Sequence, residues 1–209
     1  MKKGKFIVLE GGDGAGKGTV VRYLQKTLPI GKFVFSREPG GTMVGEKVRE
    51  ILLGEAMSPV TELMLHFSYR FEHIEKVIIP NLKKGKHIIS ERYIASTYAY
   101  QIEGWKCPDL LPLFRMLEKE CNKLVRPDLY IFLDLDAKEG ERRLKNKGQK
   151  LDRFELAGLA FHERVRKAYH TYLKNHPSVV VEAGQGLEEL LSEVESIVRK
   201  TTLGKAKKS

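Results

Sequence analysis

The decapeptide EGGDGAGKGT (residues 10–19) follows the apolar run FIVL and precedes an amphipathic stretch with Val20, Val21, Leu24 and Leu28 at helical spacing. Gly11-x-x-x-x-Gly16-Lys17 between a strand and a helix is the setting in which a glycine loop cradles phosphates. Glycine lets backbone N–H groups turn inward and approach anionic oxygens closely. The start of the next helix adds partial positive charge, and Lys17 adds a full one. The position after Lys17 normally carries a Ser or Thr that holds magnesium; here it is Gly18, followed by Thr19. The loop Gly11, Gly12, Asp13, Gly14, Ala15, Gly16, Lys17, Gly18 and Thr19 is the expected binding segment for a nucleoside triphosphate. A tight strand–helix turn with an incidental lysine explains less of the pattern.

Such a loop requires an α/β frame, and the remaining chain supplies one. FIVLE (6–10), FVF (33–35), HIIS (87–90), LYIFLDL (129–135) and VVVE (179–182) read as strands. Their continuous apolar character suits a parallel sheet covered on both faces. Helical patterns span 17–28, 44–53, 60–82, 109–124, 139–144, 156–173 and 187–198. The alternation predicts a doubly wound, five-stranded parallel sheet flanked by helices, of the P-loop NTPase type, with ligands beyond the strands' carboxyl ends. We expect one domain over 1–200, a short basic lid at about 145–155 (KNKGQKLDR and its flank), and a flexible basic tail over 201–209.

At 209 residues with 42% hydrophobic and 31% charged content, the chain has the composition of a globular domain. Its net charge of +10 admits nucleic-acid binding or phosphate-bearing small substrates. Much of the excess sits at Lys2, Lys3, Lys5, Lys205, Lys207 and Lys208, so a nucleic-acid-binding module ranks low. No stretch reaches the roughly 18–20 apolar residues of a membrane helix, and FIVL is too short for a signal peptide. Two dispersed cysteines, Cys107 and Cys121, argue for a reducing, cytoplasmic setting. No NKxD-type base-reading segment supports a GTPase.

Four further segments address a second substrate. FSREPGGTMVGEKVRE (35–50) offers Arg37 and Arg49 around a Pro39-Gly40-Gly41 turn. LHFSYRFEH (65–73) puts Phe67 and Arg70 three residues apart on one helix face, an aromatic and an arginine able to stack on a base and bond its edge. SERYIASTYAYQ (90–101) ends the third strand with Glu91, Arg92, Ser96, Tyr100 and Gln101. The basic segment closes on LDRFE (151–155). Taken singly, Phe67 is as readily a core residue, and Glu91-Arg92 a surface ion pair.

Together, GGDGAGKGT, REPGGT with GEKVRE, YRFEH, ERYIASTYAYQ and PDLYIFLDLD resemble thymidylate kinase of the bacterial type, from Phe6 to about Ile197. The resemblance implies transfer of the γ-phosphate of ATP to dTMP, with Mg2+ as cofactor and a homodimer with helices face to face. It implies Asp13 at the 3′-hydroxyl, Arg37 and Arg92 on the dTMP phosphate, Phe67 stacked on thymine and Arg70 at its O4 edge. Ser96 and Gln101 would lie near N3, and Tyr100 against the 2′ position. Members carry a catalytic arginine either in the glycine loop or in the lid. Gly14 leaves the loop without one, so Arg153 is the expected catalytic lid cation beside Lys17 and Arg92, with Lys150 and Lys147 behind it. Glu91 replaces the family's usual Asp and is assigned to the acceptor phosphate or to water on magnesium; no direct metal ligand is assigned. Because deoxynucleoside kinases carry a related Glu-Arg pair, they remain the alternative, with other nucleoside monophosphate kinases.

Overall fold

Alternate residues of β1 (Phe6–Gly11) face opposite sides of a sheet and seed two separate cores. Phe6 and Val8 join Ile88, Tyr130 and Phe132 on one face, whereas Ile7 and Leu9 join Ile89, Ile131, Leu133 and Val181 on the other. Every residue of β1 is buried, which is why this segment reads as unbroken hydrophobicity. Each of Phe6, Ile7, Val8 and Leu9 contributes about 1.5–3 kcal/mol on burial. With β2 (Phe33–Arg37), β3 (His87–Glu91), β4 (Leu129–Asp134) and β5 (Ser178–Glu182), it forms a five-stranded parallel sheet in the order β2-β3-β1-β4-β5. The computed structural model describes residues 3–146, 148 and 151–204.

The helices divide between the faces. α1 (Lys17–Thr27) places Val20 and Leu24 in the same core as Leu190, Val194 and Val198 of the carboxyl-terminal helix α9 (Leu187–Leu203). Against the other face lie α3 (Pro59–His73), α5 (Ile94–Thr97), α6 (Leu111–Leu124) and α8 (Leu159–Leu173). α2 (Met43–Gly54) packs on α3. Neighbouring strands β1 and β3 therefore send their following helices, α1 and α5, to opposite faces. A crevice opens at their carboxyl ends, where a doubly wound sheet takes its ligand.

The five expected strands are present, and the helices differ in detail. The stretch expected as one helix over 60–82 runs as α3, a π-helical turn at Ile74–Ile78 and α4 (Ile79–Lys83). Pro80 has no N–H for the preceding turn, and the ladder widens just ahead of it. Beyond the third strand, SERYIASTYAYQ (90–101) carries no expected helix. The chain there forms α5 and a π-helical turn at Tyr98–Gly104. Ile94 through Ile102 are all buried, so no polar stripe marks the helix. α8 starts at Leu159, after Gly158 at φ 86°, three residues later than expected. α7 spans Ala137–Asn146, longer than the expected 139–144. α9 continues through Leu203, so the first residues of the expected tail are helical; 205–209 lie outside the described residues.

Candidate active site

α1 begins without a side-chain cap: its first-turn N–H groups follow Gly16, held at φ 90°. Gly11 at φ 156° and Gly14 at φ 81° complete the loop conformation. A Cβ on Gly14 would sit 2.5 Å from the carbonyl oxygen of Gly140 in α7. This packing leaves no room for a side chain at 14 and explains why the loop carries no arginine there. Lys17 is buried, and its Nζ donates to the carbonyls of Gly11 and Gly12 at 3.1 and 2.8 Å. Burial, then Arg92, pushes its ammonium down to about 8.

That value predicts a pH dependence. The free protein loses the Lys17 charge as pH rises through about 8, so ATP affinity measured calorimetrically falls between pH 7 and 9.5. Lys17→Arg removes the inflection, because a guanidinium stays charged. A flat affinity in the lysine protein contradicts the assignment.

A cavity of about 360 Å³ opens beyond the loop, within the size of a small-ligand site. Arg37, Arg49, Glu91 and Arg92 line it together with Lys17. Arg92 is the hub. It holds φ at 69°, a left-handed conformation rare for a side-chain-bearing residue. One guanidinium nitrogen donates to the carbonyl of Gly11 and to the hydroxyls of Ser96 and Tyr169, at 3.1–3.2 Å. The other donates to Asp13 at 2.5 Å and to the Tyr100 hydroxyl at 3.1 Å. Tyr100 in turn donates to the second Asp13 oxygen at 2.8 Å. Burial raises the Asp13 carboxyl, but Arg92 and Lys17 outweigh it and hold the group below the ordinary aspartate value.

Arg37 is half-exposed and pairs with Glu46 at 2.7 Å. Glu46 also accepts from the Gly41 N–H at 3.0 Å, which fixes the turn after β2. Arg49 donates to the Pro39 carbonyl at 3.1 Å. Burial and then Arg37 lower its affinity for a proton, Glu46 opposes this, and Arg92 lowers it further. Arg37, Arg49 and Arg92 thus line one cavity, where Glu46 pairs with Arg37 and Asp13 with Arg92. Such a wall attracts a dianion.

The far end is organised by Glu38, 2% exposed and preceding a cis Pro39. It accepts from Arg70 Nε at 2.7 Å and contacts His73 Nδ1 at 2.9 Å; His73 Nε2 meets Ser36 at 2.7 Å. Arg70 also donates to the Tyr93 carbonyl and to Thr97. Burial opposes its charge, and Glu38 more than offsets this, raising it above the usual arginine value. Glu10 is a second buried anchor that the motif reading passed over. It accepts from the Tyr93 and Ser96 N–H groups and from the Ser96 and Tyr169 hydroxyls. Burial raises its carboxyl despite those donors. It ties β1 to α5 and orients the Ser96 hydroxyl.

Sequence positions 9–194 match a family model described as Thymidylate kinase. The chain belongs to the thymidylate kinase family. It is 41% identical to the thymidylate kinase of Nitrosospira multiformis over 94% of this chain and 97% of the relative. It is 38% identical to that of Alkalilimnicola ehrlichii over 93% and 92%, and 39% identical to that of Hahella chejuensis over 91% and 93%.

The thymidylate kinase fold brings most of the expected residues to one cavity: Asp13, Lys17, Gly18, Thr19, Arg37, Arg70, Glu91, Arg92, Ser96, Tyr100 and Gln101 all line it. Gly14 and Gly16 line it too, whereas Gly11, Gly12 and the buried Ala15 do not. Two of the acceptor-side and lid residues are placed elsewhere. Phe67 is 1% exposed and packs edge-on against Phe114 in the core, off the cavity. Its helix neighbours His66 and Tyr69 line the cavity instead. Arg153 is also off the cavity: its Nε donates to the Leu52 carbonyl at 2.6 Å, its guanidinium pairs with Glu62 at 2.7 Å, and it lies over the Phe154 ring. Lys147 and Lys150 lie outside the described residues. The Thr19 hydroxyl accepts from Arg22, a further cavity cation absent from the motif reading. No helix among the described residues is long and apolar enough to cross a membrane.

Proposed function

We propose that the chain transfers the γ-phosphate of ATP to dTMP, giving dTDP and ADP. The observation that carries this is the pairing, in one cavity, of an uncapped glycine loop with a wall formed by Arg37, Arg49 and Arg92. The first suits a triphosphate tail and the second a monophosphate. Transfer between two anions needs alignment and charge neutralisation more than covalent chemistry. Lys17 stabilises the leaving end, and Arg92 with Arg37 grips the acceptor phosphate. Asp13, fixed by Arg92 and Tyr100, accepts from the deoxyribose hydroxyl, while Tyr100 restricts the 2′ side. Arg70 and Gln101 read the base. Ser96, committed to Glu10, orients the Arg92 guanidinium.

Mg2+ suits this site. No cluster of three metal-ligating side chains occurs among the described residues. Magnesium on nucleotides needs only one or two carboxylates, with phosphate oxygens and water supplying the rest. Glu91 lines the cavity close enough for its charge to act on Lys17, so it would hold the ion through water. The ion, when bound, neutralises charge on the phosphates. Cys107 and Cys121 are free thiols, in keeping with a cytoplasmic setting. Met43 and Val44 of α2, Val60 and Met64 of α3 and Met116 of α6 are exposed apolar residues that suit a face-to-face homodimer.

An ADP-release assay across dTMP, dUMP, UMP, CMP, AMP and thymidine tests the reaction. dTMP is expected to be the best acceptor and thymidine a poor one. Faster turnover of thymidine assigns the chain to nucleoside phosphorylation instead.

A further inference from the structure

His66 lines the cavity beside Arg70, and it is 7% exposed. Among the described residues its Nε2 has no hydrogen-bond partner, and neither does Arg70 Nη1; both atoms are buried. A buried polar atom left unpaired is destabilising, so two on residues of one cavity wall point to a ligand that supplies acceptors.

The proton position on His66 depends on its neighbours. Arg70 Nη2 donates to the Tyr69 hydroxyl oxygen at 3.5 Å. Tyr69 Oη lies 3.0 Å from His66 Nδ1, and the Tyr69 O–H has no other acceptor among the described residues. A hydroxyl that donates to Nδ1 leaves the ring proton on Nε2, the tautomer that the proposal requires. Burial, with Arg70, Arg153 and Arg92 nearby, keeps the imidazole neutral. On the same cavity, Gln101 Nε2 is committed to Glu62 at 2.8 Å, so its carbonyl oxygen is the acceptor it can offer.

We propose that His66 is a specificity-determining residue whose Nε2–H, together with Arg70 Nη1, donates to the 4-oxo group of the acceptor's pyrimidine. The inference rests on the dTMP reading above. Two donors beside one acceptor match a 4-oxo, N3–H pyrimidine. They mismatch a 4-amino pyrimidine, whose amino group would face them without an acceptor. Rejection by unpaired polar groups is stronger than rejection by shape alone.

The test compares wild type, His66→Phe and His66→Gln with dTMP and dCMP. Turnover of dTMP by the wild-type protein is measured first, and its absence defeats the functional reading rather than this inference. Given that turnover, His66→Phe should raise the dTMP KM about tenfold with kcat within about threefold. Its preference for dTMP over dCMP in kcat/KM should fall about tenfold. His66→Gln, which keeps an N–H at similar reach, should recover most of both. A phenylalanine variant with wild-type KM and preference overturns the proposal, as does equal loss in both variants. A readout independent of folding is available in wild-type protein labelled with 15N-histidine. The proton should reside on Nε2 and its resonance should move downfield when dTMP binds. An Nδ1-protonated ring, or no response to dTMP, also overturns it.

Discussion

Arg92→Ala is expected to lower kcat/KM for dTMP by about three orders of magnitude, the scale of removing an arginine that neutralises a transferring phosphoryl group. The guanidinium has two tasks, and alanine removes both. In the proposed reaction it would grip the acceptor phosphate, and through Gly11, Asp13, Ser96, Tyr100 and Tyr169 it joins the glycine loop to α5 and α8. Without it, Asp13 keeps Tyr100 and Lys17 but loses its principal cation. Arg92→Lys keeps a charge without the planar fork and should lose about a hundredfold. Steady-state kinetics with dTMP and ATP varied separately decide the point. A loss under tenfold in Arg92→Ala would move the acceptor clamp to Arg37 and Arg49.

Glu38→Ala should reduce stability by about 3–5 kcal/mol, the usual effect of stripping the counterion from a buried pair. Arg70 is 1% exposed and His73 fully buried, and Glu38 is the carboxylate bonded to both. For a chain of this size the thermal midpoint should fall by roughly 10 °C or more. The surviving folded protein should show a raised dTMP KM, because Arg70 loses the bond that fixes its plane. Calorimetry and kinetics on the same preparation separate the effects. An unchanged midpoint would mean that Glu38 does not anchor Arg70 and His73.

These residues differ in how plainly the sequence discloses them. The glycine loop was legible because a phosphate cradle restricts backbone geometry, and that restriction is written as glycines at fixed spacing. Apolar runs disclosed the strands because both faces of the sheet are covered. Glu38 and Glu10 were not legible as anchors. Glu38 meets Arg70 across 32 residues and Glu10 meets Ser96 across 86, and no local pattern encodes such pairs. The base-facing aromatic shows a different limit. Phe67 and His66 stand three and four residues before Arg70, so helical spacing permits either to share its face. One residue turns a helix by about 100°. Phe114 and the core take Phe67, leaving His66 on the cavity. Arg153 was expected at the phosphates by resemblance; in the fold Glu62 and the Leu52 carbonyl hold it.

The most direct test is a crystal structure of the chain with dTMP and a non-hydrolysable ATP analogue bound together. The triphosphate should lie along the loop from Gly11 to Thr19, with the dTMP phosphate on Arg37 and Arg92 and its base against Arg70. A dTMP phosphate bound away from both arginines, or a triphosphate outside the glycine loop, would contradict it.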